Sequence, residues 1–451
     1  MMIKNKKVKK VIALICLTAV LSLTLSGCCI IQVGGVKSAQ INENGELILE
    51  YSFGREQNMG KVVGEDGKDG LDGNNGKNGK DGKDGLDGKD GQNGLDGESD
   101  SNDNGGGSTV IITPSQTNTE AAATKGVFSS VSINCGSQRG SGVIYEMDKS
   151  TGDALIVTNY HVVYIASSSS ISNNISVCLY GSETTTQAIY AEYVGGSMEY
   201  DLAVLRVSGS SLLRESDAVA ATVADSGEVS AGTVAIAIGN AKGMGISVTT
   251  GVVSIDSEYL TIKGADNKTS IMLRVMRIDT AVNSGNSGGG LFDGEGNLIG
   301  IVNAKIVEDD VENIGYAIPS STVISFVENV KANCLNSSNQ KIRLAKVVEV
   351  DSSNSTAVLD KDTGRIKIEE DAIVTAPASG YLVRGTLQAG DVIKEISVNG
   401  GEFIEITRAH QVDDICLGLK VGDKITINYV RNGEIYSADF EAAASYFTSI
   451  K

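Results

Sequence analysis

Between residues 125 and 310 the chain is a succession of short β-branched runs: SGVIYEM, ALIVTNYHVV, ISVCLYG, LAVLRV, GTVAIAIGN, ISVTTGVVSI, IMLRVMRI and NLIGIVNAKI. Each is closed by Gly, Asn, Asp or Ser. Valine, isoleucine and threonine suit a pleated, half-buried surface, and the runs are too short for amphipathic helices. Many short strands with turn residues between them predict a mainly β fold, a sandwich or a barrel. A second region, 340–445, adds strand-like LAKVVEV and ITINYVRNG and a helical stretch near 408–417. It has the length of one small domain.

The first 124 residues read differently. Residues 28–63 are an N-terminal segment, in which 37–63, with GELILEYSFG, carry β-like alternation that suggests a hairpin. From Gly64 to Gly97 glycine recurs at every third position, in twelve unbroken triplets. Only glycine fits at the axis of a collagen triple helix, so 64–99 is a collagen-like repeat. It contains no proline to pre-organise the polyproline conformation, and Lys and Asp fill the other positions. Triple helix and solvated polar stalk both remain open for it. Residues 100–124 read as linker.

The extreme N-terminus reads as a targeting segment. Basic MMIKNKKVKK leads into apolar VIALICLTAVLSLTL and then Leu25-Ser26-Gly27-Cys28. That progression resembles the lipobox of bacterial lipoproteins, which implies cleavage after residue 27 and lipid on the Cys28 sulfur. The expectation is an exported chain, anchored through that lipid at the bacterial cell membrane and facing outward. With 38 Lys and Arg against 56 Asp and Glu, the net charge is −18. That balance disfavours nucleic acid, whose phosphates need basic patches. The cysteines beyond Cys28 and Cys29 are widely spaced, and no Cys or His cluster has metal-ligand spacing. No metal or cofactor is implied.

The sequence has two histidines, His161 in IVTNYHVV and His410. Asp201 opens the apolar run DLAVLRV, and Ser287 sits in NSGNSGGGL among Gly285, Gly288, Gly289 and Gly290. A serine hydroxyl needs a base to take its proton and donors to hold the oxyanion it generates. The chain order His, Asp, Ser is one in which such triads occur. Gly285 would let its own N–H and that of Ser287 converge on an oxyanion, while Gly288 and Gly289 would leave room for a substrate backbone.

Together, TNYHVV, YDLAVLRV, AIAIGN, TTGVVSI, DTAVNSGNSGG and IGYAIPSS resemble the bacterial HtrA/Deg serine proteases of the trypsin-like superfamily. The match runs in order from about 128 to 325. Val162 follows the histidine where the digestive trypsin branch has a cysteine. The resemblance implies a trypsin-like double β-barrel over 125–335. Catalytic His161, Asp201 and Ser287 would act with an oxyanion hole from Gly285 and Ser287, on unfolded or exported proteins. Ala281, six positions before the serine, puts no acid where specificity is set, and Asp279 is assigned a structural role. LQAGDVIKEISVNG and LKVGDKITINYVRNGE resemble the PDZ domains that follow these proteases. The carboxylate-binding loop would be 342–345, which lacks glycine, so weak peptide binding is expected there. His410 would begin the PDZ helix in a structural role, as a cap or at a groove edge. The insertion DSSNSTAVLDKDTGRIKIEED reads as two strands joined by a turn. HtrA-type domains commonly assemble as homotrimers, and a trimer would also bring three G-X-Y segments together. The alternative from another class is a non-catalytic surface adhesin or scaffold using the stalk and the PDZ-like module.

Overall fold

The computed structural model describes residues 36–41, 46–51, 56–61 and 116–450, apart from 137, 182–186, 305–313, 339 and 362. The leader with Cys28, the G-X-Y run and most of the stretch read as linker lie outside the described residues. The chain divides into two compact units, Met1–Gly105 and Gly106–Lys451.

In the first unit, β1 (Val36–Ile41), β2 (Glu46–Tyr51) and β3 (Glu56–Lys61) form an antiparallel sheet in that order. The hairpin expected from alternation therefore gains a third strand.

The second unit opens with α1 (Gln116–Phe128). This helix begins inside the stretch 100–124 read as linker. The alanines of TEAAATKG have the highest helix propensity, and Ala122 is buried in the main core, so the end of the linker is structured. Seven strands follow: β4 (Ser130–Cys135), β5 (Gln138–Asp148), β6 (Asp153–Thr158), β7 (Ile175–Leu179), β8 (Ile189–Tyr190), β9 (Glu192–Ser197) and β10 (Leu202–Val207). They make one antiparallel sheet in the order β8-β7-β4-β5-β6-β10-β9. Next come β11 (Val234–Gly239), β12 (Ser247–Lys263), β13 (Ser270–Ile278), β14 (Gly290–Phe292), β15 (Leu298–Val302) and β16 (Gly315–Pro319). These close into a barrel in the order β11-β12-β13-β16-β15-β14. Of the two expected barrels, only this one closes by strand pairing; the first half is a sheet whose edges β8 and β9 are not laddered together.

Three apolar clusters hold these halves. Val131, Ile133, Ile156 and Leu205 fill the first, and Val253, Met276, Ile278 and Leu291 fill the barrel. A third joins them, with Val157, Leu202 and Val204 from the sheet against Ile236, Ile238 and Phe292 from the barrel. Burying such a side chain is worth roughly 1.5–3 kcal/mol. This shared cluster fixes the strand ends from which the site residues project.

Helix α2 (Tyr160–Val163) is a single turn, and α3 (Ser320–Asn333) crosses to the C-terminal region. In sequence, ENVKANCLNSSNQ looks like a polar connection to the C-terminal region. Instead Val323, Phe326, Val327 and Val330 bury one face of α3, a spacing of 3, 4 and 7 that marks an amphipathic helix. Ile342, Leu417 and Ile450 from the C-terminal region join the same cluster. Asn329, fully buried, donates to the carbonyls of Arg343 at 2.7 Å and Leu417 at 2.6 Å.

The C-terminal region contains β17 (Arg343–Ala345), β18 (Val350–Leu359), β19 (Ile366–Val374), β20 (Val392–Val398), β21 (Ile404–Glu405), α4 (Ala409–Gly418), β22 (Lys424–Arg431), β23 (Glu434–Glu441) and β24 (Phe447–Ser449). β17 pairs with β24, and the larger sheet runs β18-β19-β20-β22-β23 with β21 on β20. The insertion forms the β18–β19 hairpin, as its turn residues predict. A separate core of Ala372, Ile393, Val412, Ile425 and Ile427 lies beneath α4. Arg274 of β13 reaches Asp414 of α4 at 2.6 Å, and Ser321 and Thr322 donate to the same carboxylate at 2.7 and 2.8 Å. Tyr259 donates to Asp413 at 3.1 Å. Asp413 faces a cavity of about 310 Å³ between the two regions, where enclosure by protein raises its pKa to about 6.

Candidate active site

Strand β6 delivers the first site residue. At its end Asn159 is extended, and α2 turns with Val162 and Val163 buried, so His161 projects outward. Asp201 lies just before β10, which pairs with β6 along its whole length. That pairing brings His161 and Asp201 together although forty residues separate them. Asp201 adopts φ +47°, a left-handed conformation that aspartate tolerates better than bulkier residues. Its carbonyl accepts from Tyr160 N–H at 3.1 Å and from Asn159 Nδ2 at 3.0 Å, which ties the two turns together.

The Asp201 carboxylate is 2 % exposed and accepts three hydrogen bonds. Oδ1 takes the His161 backbone N–H at 3.0 Å; Oδ2 takes His161 Nδ1 at 2.7 Å and Asn303 Nδ2 at 2.8 Å. A carboxylate only accepts, so the imidazole proton sits on Nδ1 and the Nε2 lone pair is left as a base. Asn303 follows β15 of the barrel, so the acid is held from both halves. Sequence reading missed this residue. Its signal is a fully buried amide at the end of the apolar run LIGIV.

Ser287 sits between the halves, 6 % exposed. Its carbonyl accepts from Ser141 N–H of β5 at 2.8 Å. Gly288 N–H donates to Val302 O at 3.0 Å, and Gly289 O accepts from Val302 N–H at 2.8 Å. The role expected of Gly288 and Gly289 needs correction. Gly288 has φ +83°, and a Cβ there would collide with Ser141 O and Thr158 Oγ1; at Gly289 it would collide with Ile238 O. Both positions need glycine because the protein's own atoms approach them. Gly285 has φ +100°, and a Cβ there would strike Asn240 O. Neither the Gly285 nor the Ser287 N–H donates to another group among the described residues.

The other expected residues fall as follows. The Ala281 carbonyl accepts from Thr249 Oγ1 at 2.9 Å. Asp279 Oδ1 accepts from Val252 N–H at 2.6 Å, so Asp279 braces β12. His410 lies in α4, far along the chain from this group and 8 % exposed. Burial, then the Arg274 and Arg408 charges, push its pKa down to about 2. It does not cap α4: Gln411 Oε1 accepts from Arg408 N–H at 2.8 Å, and Glu370 Oε1 from Ala409 N–H at 2.9 Å. The stretch 342–345, expected as a carboxylate-binding loop, is instead mostly strand β17, paired with β24, and its Arg343 N–H is taken by Asn329 Oδ1 at 3.1 Å. Cys28 lies outside the described residues. Among those residues no helix is long and apolar enough to cross a membrane.

A trypsin-like peptidase domain matches residues 140–301, which bracket Ser141, His161, Asp201 and Ser287. Serine protease Do-like HtrB of Bacillus subtilis is 33% identical over 300 residues, 65% of this chain and 60% of its own length. Serine protease Do-like HtrA of Lactococcus lactis subsp. lactis is 31% identical over 320 residues, 68% of this chain and 71% of that one. Among solved structures, the HtrA-type protease AlgW with tripeptide aligns over 72% of this chain and 96% of that chain, at 25% identity and a TM-score of 0.45. Relatives named as proteases do not favour the adhesin alternative. On this shared sequence the chain belongs to the HtrA family of serine proteases.

Proposed function

We propose that the protein is a serine endopeptidase acting on unfolded or exported proteins through His161, Asp201 and Ser287. The observation that carries this reading is the buried Asp201 carboxylate 2.7 Å from His161 Nδ1, in a chain whose Gly285 and Ser287 N–H groups donate to no other group among the described residues. Ser287 Oγ attacks the scissile carbonyl while His161 Nε2 takes its proton. Asp201 holds the tautomer and stabilises the imidazolium. The Gly285 and Ser287 N–H groups take the oxyanion. His161 then returns the proton to the leaving amine, and water releases the acyl group from Ser287 by the same route.

The region 340–445 is a PDZ-like domain in this reading, and it tunes the protease through α3 and α4 more than it builds the site. Engagement of Arg343 by Asn329 supports weak peptide binding there. The chain is exported, lipid-anchored at Cys28, carries a collagen-like segment over 64–99 and assembles as a homotrimer. The deciding experiment is casein digestion by the full chain beside Ser287→Ala. Digestion by the wild type alone is expected; equal digestion by both, or none by either, would overturn the assignment.

A further inference from the structure

Ser141 lies in β5, in the opposite half of the molecule from the Gly285 loop, and is fully buried. All its polar groups are committed. Its N–H donates to Ser287 O at 2.8 Å, and its carbonyl accepts from Thr158 Oγ1 at 2.7 Å. Its hydroxyl oxygen accepts from Asn240 N–H at 2.8 Å and donates to Gly285 O at 2.7 Å. Two residues after Asn240, Lys242 N–H donates to Ser284 O at 2.7 Å, with Lys242 itself at φ +54°.

These bonds seize both carbonyls flanking Gly285. In a trans peptide the C=O and N–H point opposite ways. Holding Ser284 O on Lys242 therefore turns the Gly285 N–H away from the 240–243 loop. Holding Gly285 O on Ser141 stops the next peptide from rotating. A glycine has no side chain to restrain it and populates φ of either sign readily. Without the Ser141 hydroxyl, the latch on Gly285 O is released, and the Lys242 bond to Ser284 O alone restrains the 284–285 peptide that carries the Gly285 N–H.

We propose that Ser141 is a positioning residue for the oxyanion hole, its hydroxyl relaying Asn240 N–H to Gly285 O so that the Gly285 N–H stays aimed at the oxyanion. This rests on the reading of Ser287 as nucleophile and Gly285 N–H as oxyanion donor. Ser141 touches neither His161 nor Asp201 through its side chain, so its loss should weaken oxyanion stabilisation and spare the base.

The test compares the full chain with Ser141→Ala, Ser141→Cys and Thr158→Val on a chromogenic peptide, with crystal structures of the wild type and Ser141→Ala. Removing one oxyanion donor outright costs about 10²–10³ in kcat, so loosening it should lower kcat by about 10- to 100-fold. KM and the apparent pKa of the kcat/KM profile should stay unchanged. Ser141→Cys, a weaker donor, should fall between. Thr158→Val deletes an equally buried hydroxyl that bonds the Ser141 carbonyl and leaves Gly285 alone; it should lower the melting temperature and spare kcat. The Ser141→Ala crystal should show a turned 284–285 peptide. Unchanged kcat in Ser141→Ala, equal losses in Ser141→Ala and Thr158→Val, or a shifted pH profile would overturn the proposal. A wild type that cleaves nothing sinks the functional reading separately, and the orientation of the 284–285 peptide still decides the latch.

Discussion

At the residue scale the chemistry rests on a few contacts with unequal consequences. Ser287→Ala should remove one hydroxyl and leave the fold intact, with activity falling on the order of 10⁴-fold or more. His161→Ala should do the same. His410→Ala should retain turnover, because His410 lies in α4 of the C-terminal region and makes no part of the Asp201 group. Comparing peptide hydrolysis by the two histidine variants separates them; equal losses would discredit the triad. Asn303→Ala should leave Asp201 Oδ2 with His161 Nδ1 alone. A hydrogen bond to a charged group is worth about 1.5–3 kcal/mol, so a roughly 10- to 100-fold fall in kcat/KM is expected, with protein concentration and folding checked by circular dichroism. Asn303 comes from the half opposite His161, which makes the acid a monitor of how the two halves sit together.

At the scale of elements, α3 and α4 decide stability. Phe326 is fully buried where α3 meets the cluster shared with Leu417 and Ile450. Phe326→Ala should cost about 3–5 kcal/mol, read from denaturant unfolding. On α4, His410 is neutral in the folded chain, with its pKa down at about 2, whereas an unfolded histidine protonates near 6.5. A depressed folded pKa stabilises the native state fully above pH 6.5. Below it, the unfolded chain takes up a proton that the folded chain refuses, and about 1.4 kcal/mol is lost per pH unit. His410→Gln should therefore flatten the acid limb, losing about 2 kcal/mol less than the wild type between pH 7.5 and 5. Parallel curves for the two proteins would mean that His410 is solvated.

For the whole molecule, the question is what the C-terminal region contributes. The hydrogen bonds of His161 and Asn303 to Asp201, and the bond of Ser141 to Ser287, are all made by residues before 304. Truncation after residue 336 removes none of them, but it strips Ile342, Leu417 and Ile450 from the shared core and takes away both carbonyls to which Asn329 Nδ2 donates. The truncated chain should melt at a lower temperature, still cleave a short chromogenic peptide at 20 °C and digest casein poorly. Loss of both activities in a folded truncation would make the region part of the catalytic assembly. Mass spectrometry of the native protein is expected to find lipid on Cys28. Light scattering of residues 28–451 is expected to give a trimer, since linking three stalks to a trimeric head raises their effective concentration.

Much of this was legible in the sequence by itself. Short β-branched runs set the strands, because each carries its own composition and many are buried along almost their whole length. His161, Asp201 and Ser287 were legible because each sits in a local motif. What escaped were relations between distant segments. The buried face of α3 has a helical period, yet only tertiary packing shows Leu417 and Ile450 against it. Asn303 and Ser141 are ordinary polar residues until folding places an amide from the barrel on Asp201 and a hydroxyl from the sheet on Gly285. The close approach at Gly288 and Gly289 likewise comes from β5 and β11, not from the glycines. Local propensity writes strands and turns into a sequence. Which buried polar group meets which is decided only when desolvation forces each to find a partner.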